Sequence, residues 1–340
     1  SGAGVIQVAD AATTLTFTGA AVGPGALTKR GAGTLILAGD NSYVGQTAVE
    51  AGRLVAGSAG AFDGGTGNLI VSNVAGAVFD MNGFDASFLQ LQGGGTTGGT
   101  IDLGDANATL TVSNSGNNTF AGEIVGTGNL VKNGAAIQIL SGCASSYNGV
   151  TTIRQGVLQV NCLTDGGTNS SIGASSNAAG NLVLNGGTLR YVGSGGSTDR
   201  LFTLGASASA LDASGTGAIA FTNSGPIAFS SSNTAQSMTL TGTSTADNRL
   251  AVRITDNGTG KTAMSKTGVG TWILTNQANS YTGATSITGG VLGVDKLSNG
   301  GVASSIGQSS SAAANLIIGT GATLRYTGNG DATDRQFTLG

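Results

Sequence analysis

Leu27-Thr28-Lys29-Arg30-Gly31-Ala32-Gly33-Thr34-Leu35-Ile36-Leu37, continued by Asn41-Ser42-Tyr43, Gly45, Thr47, Val49, Gly52 and Leu54, decides the fold because it comes back twice. The last copy reads Met264, Lys266, Gly268, Gly270, Trp272, Leu274, then Asn279-Ser280-Tyr281, Gly283, Thr285, Ile287, Gly290, Leu292 and Val294. A middle copy runs Leu130, Lys132, Gly134, Ile139, Leu140, then Ser146-Tyr147, Gly149, Thr151, Ile153, Gly156, Leu158 and Val160. The middle and last copies share a long tail as well: Thr188-Leu189-Arg190-Tyr191 and Asp199-Arg200 return as Thr323-Leu324-Arg325-Tyr326 and Asp334-Arg335. The segments 130–205 and 264–340 therefore form a long internal repeat, and repetition at a fixed period is the mark of a stacked architecture.

The composition narrows the class. Of 340 residues 61 are glycine, 9% are charged and 5% aromatic, with two prolines and no histidine. Such a chain could be disordered, but short clusters of Val, Leu, Ile and Phe recur along its whole length, and a net charge of −3 repels too weakly to hold it open. No run of Lys or Arg offers phosphates a cluster of cations, so nucleic acid is not an expected partner. No 18-residue apolar stretch is present to span a bilayer as a helix.

Gly4-Val5-Ile6-Gln7-Val8, Thr14-Leu15-Thr16-Phe17-Thr18, Thr109-Leu110-Thr111-Val112 and Met238-Thr239-Leu240 alternate apolar with small polar residues, the period of a strand with one buried face. Clusters of Gly, Asn, Asp and Ser between them mark turns, and no segment holds a helical period over three turns. Within each copy the second apolar cluster follows the first by 17 to 19 residues, measured from Leu37 to Leu54, Ile139 to Leu158 and Leu274 to Leu292. Intervals of 24 residues, from Leu158 to Leu182 and from Leu292 to Leu316, predict coils that carry Gly- and Ser-rich excursions at 164–179 and 298–313. The fold expected is an all-β, single-stranded parallel β-helix running without interruption over 1–340. At about 20 residues per coil it makes roughly 15 to 17 coils and a rod on the order of 70–80 Å long. Its unpaired end strands suit either a piece of a longer protein or a unit that stacks end to end.

The pattern Lys-x-Gly-x-Gly-x-(Leu/Trp)-x-Leu, then Asn-x-Tyr-x-Gly-x-Thr, then Gly-x-Leu, resembles the autotransporter-associated β-strand repeat of large secreted bacterial surface proteins. It covers 27–56, 130–160 and 264–294. The middle copy departs from it: Ala136 replaces the second glycine, Gln138 stands where the others have Leu35 and Trp272, and Ser145 where they have Asn41 and Asn279. The resemblance implies a right-handed β-helix displayed outside the cell, in a polypeptide whose signal peptide and outer-membrane barrel lie beyond this stretch. The roles it implies are adhesion, self-aggregation, biofilm contact or simple extension, without catalysis or a cofactor. Glycine is expected at turns of positive φ, and asparagine to bond up and down the coil axis.

Candidate chemistry is sparse. Without histidine, nucleophilic triads are out of reach, and two cysteines cannot build an all-thiolate zinc site. A polysaccharide-cleaving site, with carboxylates as acid and base or as calcium ligands, would draw on Asp102 and Asp105; the simpler reading of 101–107 is strand, turn, strand. Asp63-Gly64-Gly65-Thr66-Gly67-Asn68 lacks the last acid of a calcium-binding nonapeptide. The duplicated Asp199-Arg200 and Asp334-Arg335, with Arg190-Tyr191 and Arg325-Tyr326, read as exposed ion pairs in preference to a repeated glycan site.

Cys143 and Cys162 stand 19 residues apart, about one coil, which brings them within disulfide reach and favours a bond over two free thiols. Ile36, Ile139 and Ile273 break the alternation and point outward if their neighbours point inward, offering lateral contacts between chains. The partners expected are a second copy, joined laterally or end to end, and a surface glycan or protein. The functional expectation is an extracellular structural and adhesive segment; the alternatives are a filament subunit and a pectin-lyase-like enzyme.

Overall fold

The computed structural model describes residues 2–64, 67–105 and 107–340. The chain winds as a parallel β-solenoid of about 15 turns. Among the described residues its helical content is confined to two 3-10 turns, Ala179–Asn181 and Ala313–Asn315. No helix among the described residues is long and apolar enough to cross a membrane. The chain divides into two units, residues 1–162 with 167–175, and residues 163–166 with 176–340.

In the first unit, alternation puts every second side chain inside, and parallel pairing stacks like on like. Leu15, Leu35, Leu54, Phe79, Ile101 and Ile124 form one column, each in register with the next. Leu27, Thr47, Leu69 and Leu91 form a second. Leu35, Leu54, Phe79 and Ile101 are fully buried, and each such side chain contributes about 1.5–3 kcal/mol by leaving water. Where a turn widens, aromatic rings fill it: Phe79 meets Phe62 edge-on at 4.9 Å and Phe88 at 5.4 Å.

The second unit repeats the scheme. Thr198, Phe221, Leu250, Leu274, Val294 and Tyr326 share one column, and Leu211, Leu240, Lys266, Ile287 and Ile318 follow one another in a second ladder. Phe221 lies 6.3 Å from Phe202 and 6.4 Å from Trp272.

Register corrects the spacing read from the sequence. Leu54 pairs with Leu35 and not with Leu37, which faces Ala56. Leu292 pairs with Trp272 and then with Leu324, 32 residues on, whereas Leu316 stacks on Thr285 in the other ladder. The expected 24-residue coil joined two different faces. A turn has at least two strands, so the nearest apolar cluster downstream is not always the one overhead.

The middle copy differs from the other two at its corner, where its register shifts. The first and third copies break between Ala26–Arg30 and Thr34–Leu37, and between Thr262–Lys266 and Thr271–Leu274. The middle copy runs through as one strand, Asn129–Leu140, with its irregularity between Lys132 and Ile137. Gly31 and Gly268 hold the corner at φ +76° and +66°, a conformation costly for residues with a Cβ; two residues on, a Cβ on Gly33 would lie 2.4 Å from Asp10 O and one on Gly270 2.6 Å from Ser244 O, whereas the extended corner of the middle copy accepts Ala136 there.

Candidate functional site

The three motif copies are the most elaborate side-chain constructions in the chain, and each is built from inward-facing polar groups. Lys29 shares its strand face with Leu27, so its side chain enters the interior and is fully buried. Its Nζ donates to the carbonyl oxygens of Arg30 at 2.9 Å, Gly31 at 2.7 Å and Ala51 at 3.0 Å. Lys266 Nζ does the same with Thr267 at 2.6 Å, Gly268 at 3.0 Å and Gly289 at 2.9 Å. Lys132 Nζ donates to Gly134 and, at 3.1 Å, to Gln155. In each copy the ammonium closes the corner carbonyls of its own turn and reaches one carbonyl of the next. Burial lowers all three from the usual lysine value, Lys132 and Lys266 to about 8.

Four residues separate the motif's tyrosine from its threonine, and the pair closes the opposite corner. Tyr43 hydroxyl lies 2.6 Å from Thr47 Oγ1, Tyr147 2.7 Å from Thr151, and Tyr281 2.8 Å from Thr285. Burial pushes the Tyr43 phenol up to about 12, and that of Tyr281 is raised further still. The glycine between them is needed for close approach: a Cβ on Gly45 would lie 2.2 Å from Gly25 O, and one on Gly283 2.2 Å from Thr262 O.

The motif asparagines bond along the stacking direction, with backbone as partner. Asn41 Oδ1 accepts from Ala21 N at 2.7 Å and its Nδ2 donates to Ala61 O at 3.0 Å, one turn to either side. Asn279 accepts from Ile254 N and donates to Ser305 O. Ser145, its replacement in the middle copy, keeps the acceptor role toward Ile124 N at 3.1 Å but has no amide to donate. Gln138 buries its side chain where the other copies have Leu35 and Trp272; its Nε2 reaches Leu91 O at 3.0 Å, while Oε1 has no partner.

The duplicated Asp-Arg pairs are not exposed ion pairs. Arg335 is buried, and its guanidinium donates to Ser298 O at 2.9 Å, Ser309 O at 3.0 Å and Gly307 O at 3.0 Å, so that it staples the excursion loop 298–313 from within. Asp334 accepts from Gly300 N at 2.7 Å on the outer side. Arg200 is buried likewise, with Nε on Thr164 O at 3.1 Å, and Asp199 holds Gly166 N and Asn177 Nδ2, both at 2.7 Å. A loop rich in Gly and Ser leaves its carbonyls without a ladder, and five fixed N–H donors satisfy several of them at once. Arg190 does form an ion pair, with Asp212 at 2.7 Å, and Tyr191 is buried with its hydroxyl accepting from Gly195 N; a ligand has no access to that ring.

Asp102 pairs with Arg53 at 3.3 Å and accepts from Gly104 N, while Asp105 sits on the turn beside Gly83. The first ends a strand, Thr100–Asp102, and the next begins at Thr109, as strand, turn, strand requires; Ala106 lies outside the described residues, as do Gly65 and Thr66 of the nonapeptide-like segment. No group of three or more acidic or cysteine side chains fit to hold a metal occurs among the described residues. Cys143 and Cys162 are joined with their Cα atoms 5.5 Å apart. Ile36 and Ile139 are half-buried on the outer face, but Ile273 is only 3% exposed. It is flanked in register by Arg249 and Gly293, and it leaves no surface for a neighbouring chain.

The family described as the passenger-associated-transport-repeat matches residues 27–56, 130–160 and 264–294. The chain is similar to the adhesin BmaC autotransporter of Brucella suis biovar 1 (strain 1330), with 59% identity over 339 residues, 99% of this chain. It spans about 10% of the length of that curated relative. No solved structure matches. Three such repeats, each clamped from within by its lysine, tyrosine and Asn or Ser, give this chain the repeat pattern found in autotransporter passengers.

Proposed function

We propose that this chain is an extracellular, non-enzymatic segment of a bacterial surface passenger that extends from the cell and takes part in adhesion. The observation that carries the reading is the 59% identity along 99% of the chain to part of an autotransporter adhesin. The geometry supports it: the motif's polar groups are turned inward and consumed in closing corners, which leaves a rigid scaffold. The acids considered for glycan cleavage are engaged in an ion pair and a turn. Association with a second copy belongs to the same proposal, with Ile36 and Ile139 as its lateral contacts.

The test is display. The segment, fused to an unrelated outer-membrane barrel, is placed on a non-adherent bacterium, its exposure verified by antibody, and attachment to host cells and abiotic surfaces counted. Attachment well above the barrel alone is expected; attachment equal to it, with the segment on the surface, overturns the adhesive reading. Release of reducing sugar from pectin or other glycans, with or without calcium, would overturn the non-enzymatic one.

A further inference from the structure

One cavity in the second unit has the size of a ligand cleft. It encloses about 370 Å³, whereas two other concavities hold about 20 and 10 Å³; ligand sites begin at roughly 300 Å³. Its wall is formed by the excursion loop 298–313 and the turn beneath it, and is mostly polar. Lys261, Thr282, Gln308, Ser310, Ser311 and Asn315 supply the side chains.

Those side chains present a mixed set of donors and acceptors. Among the described residues Lys261 Nζ has no carboxylate or carbonyl partner, so a cation faces the cleft with its donors free. Gln308 spends its amide N–H on Gly301 O at 2.9 Å, and Asn315 spends its own on Ser310 O and Oγ. Their carbonyl oxygens are thereby fixed in place and left to accept. Ser311 adds a hydroxyl able to do either. A bare phosphate or sulfate would use the lysine but set its oxygens against two amide carbonyls. Thr282 spends its hydroxyl on Asp256 Oδ2 at 2.6 Å; a ligand with several hydroxyls and one carboxylate satisfies the lysine, the two amide oxygens and the Ser311 hydroxyl.

The internal repeat supplies a comparison within the chain. At the equivalent positions of the middle copy stand Thr127 for Lys261, Ala174 for Gln308 and Asn177 for Ser311. Asn177 Nδ2 reaches Asp199 Oδ2 at 2.7 Å and forms a crossbar. Ser311 is too short to make that bond to Asp334, whose carboxylate keeps Gly300 N. The cation and the amide thus belong to the last copy and not to the middle one, and the lining differs at a fourth position, where Thr282 replaces Asn148.

We infer that the cleft between the loop 298–313 and the turn below it binds one or two sugar rings of a carboxylated glycan, Lys261 taking the carboxylate and Gln308, Ser311 and Asn315 the hydroxyls. The inference rests on the adhesive reading for its setting but not for its test. The whole chain is titrated with digalacturonate, sialyllactose and neutral lactose, and binding is followed by heteronuclear NMR and calorimetry. At least one carboxylated probe is expected to bind roughly tenfold more tightly than lactose, with shifts at Gly300, Gln308 and Asn315. K261A should lower that affinity about tenfold, and S311N, which restores the crossbar, should abolish it. Thermal midpoints near wild type would show both variants to be folded. Absence of binding by either carboxylated probe, equal affinity for lactose, or binding unchanged in S311N overturns the inference. Displayed cells that adhere although no probe binds leave the adhesive reading standing without this site; probes that bind while cells fail to adhere do the reverse.

Discussion

Lys266 Nζ donates to the carbonyl oxygen of Gly289, 2.9 Å away in the next turn of the solenoid and 23 residues along the chain. Two further carbonyls, of Thr267 and Gly268, share the same ammonium. Replacement by methionine keeps the stem and removes the donors, so that three part-buried acceptors lose their partner. The expected loss is about 2–4 kcal/mol, read as a lower urea midpoint at unchanged m-value. A loss below about 0.5 kcal/mol would mean that water replaces the ammonium freely.

The same lysines set a dependence on pH. Burial lowers Lys132 and Lys266 from 10.5 to about 8, so between these values the unfolded chain binds more protons than the folded one. Stability then rises with pH across that window. Tyr43 acts in the opposite sense: its phenol is raised from 10.0 to about 12, so above pH 10 the unfolded state ionises first and its share of the stability falls. Denaturation at pH 7 and 9.5 should show higher stability at the upper value, with the rise flattening above pH 10 as the tyrosine opposes it. In the double variant K132M/K266M the rise from pH 7 to 9.5 should vanish; a flat wild-type profile would show that the carbonyl cage offsets the burial entirely.

Ser145 identifies a place where one substitution should stabilise. Asn279, its counterpart, donates to Ser305 O as well as accepting from Ile254 N, and Ser171 is the residue of the middle copy that matches Ser305. S145N should add that donor bond, worth about 0.5–1.5 kcal/mol. An unchanged or lower thermal midpoint would show that the middle copy has no room for the amide.

The bond between Cys143 and Cys162 closes a short loop beside the copy with the most departures. A loop of this size removes about 3 kcal/mol of unfolded-state entropy in the chain model. The secreted protein should show no titratable thiol under denaturing, non-reducing conditions, and reduction should lower its stability by about 2–3 kcal/mol. Two free thiols per chain would refute the bond.

Arg335 holds the loop 298–313 by donating to Ser298, Ser309 and Gly307. R335A should speed amide exchange from Gly300 to Gly307 without lowering protection in Thr271–Leu274. R335K should rescue little, since a single ammonium cannot span acceptors set out for a planar fork. Equal protection in R335A would assign the loop's order to its serines alone.

Much of this was legible in the chain before its coordinates. Period-2 alternation and the thrice-repeated motif lead to a parallel solenoid without helices, and the spacing of Cys143 and Cys162 anticipates their juxtaposition. What escaped was the direction of charged side chains. Lys29 lies two residues from Leu27, so alternation alone places Lys29 inside; its charge argues against burial only until its carbonyl partners are counted. Those partners belong to corners and loops, whose shape no periodicity encodes. The coil that carries the excursion was misjudged for a related reason: Leu316 is apolar like Leu324, and only hydrogen-bond register shows which of them lies above Leu292.

The inward turn of the basic residues has a consequence for survival outside a cell. Of 14 lysines and arginines, Lys29, Lys132, Lys266, Arg200 and Arg335 are buried, and Arg30, Arg53, Arg190 and Arg325 are tied to carboxylates. A trypsin-like protease must draw an extended segment and its basic side chain into its own cleft, and here that means lifting a strand out of ladders on both sides. Cleavage at the buried five therefore waits for local opening, and the cations that close corners and loops are at the same time withdrawn from attack, which then falls on exposed positions such as Arg154 and Lys261.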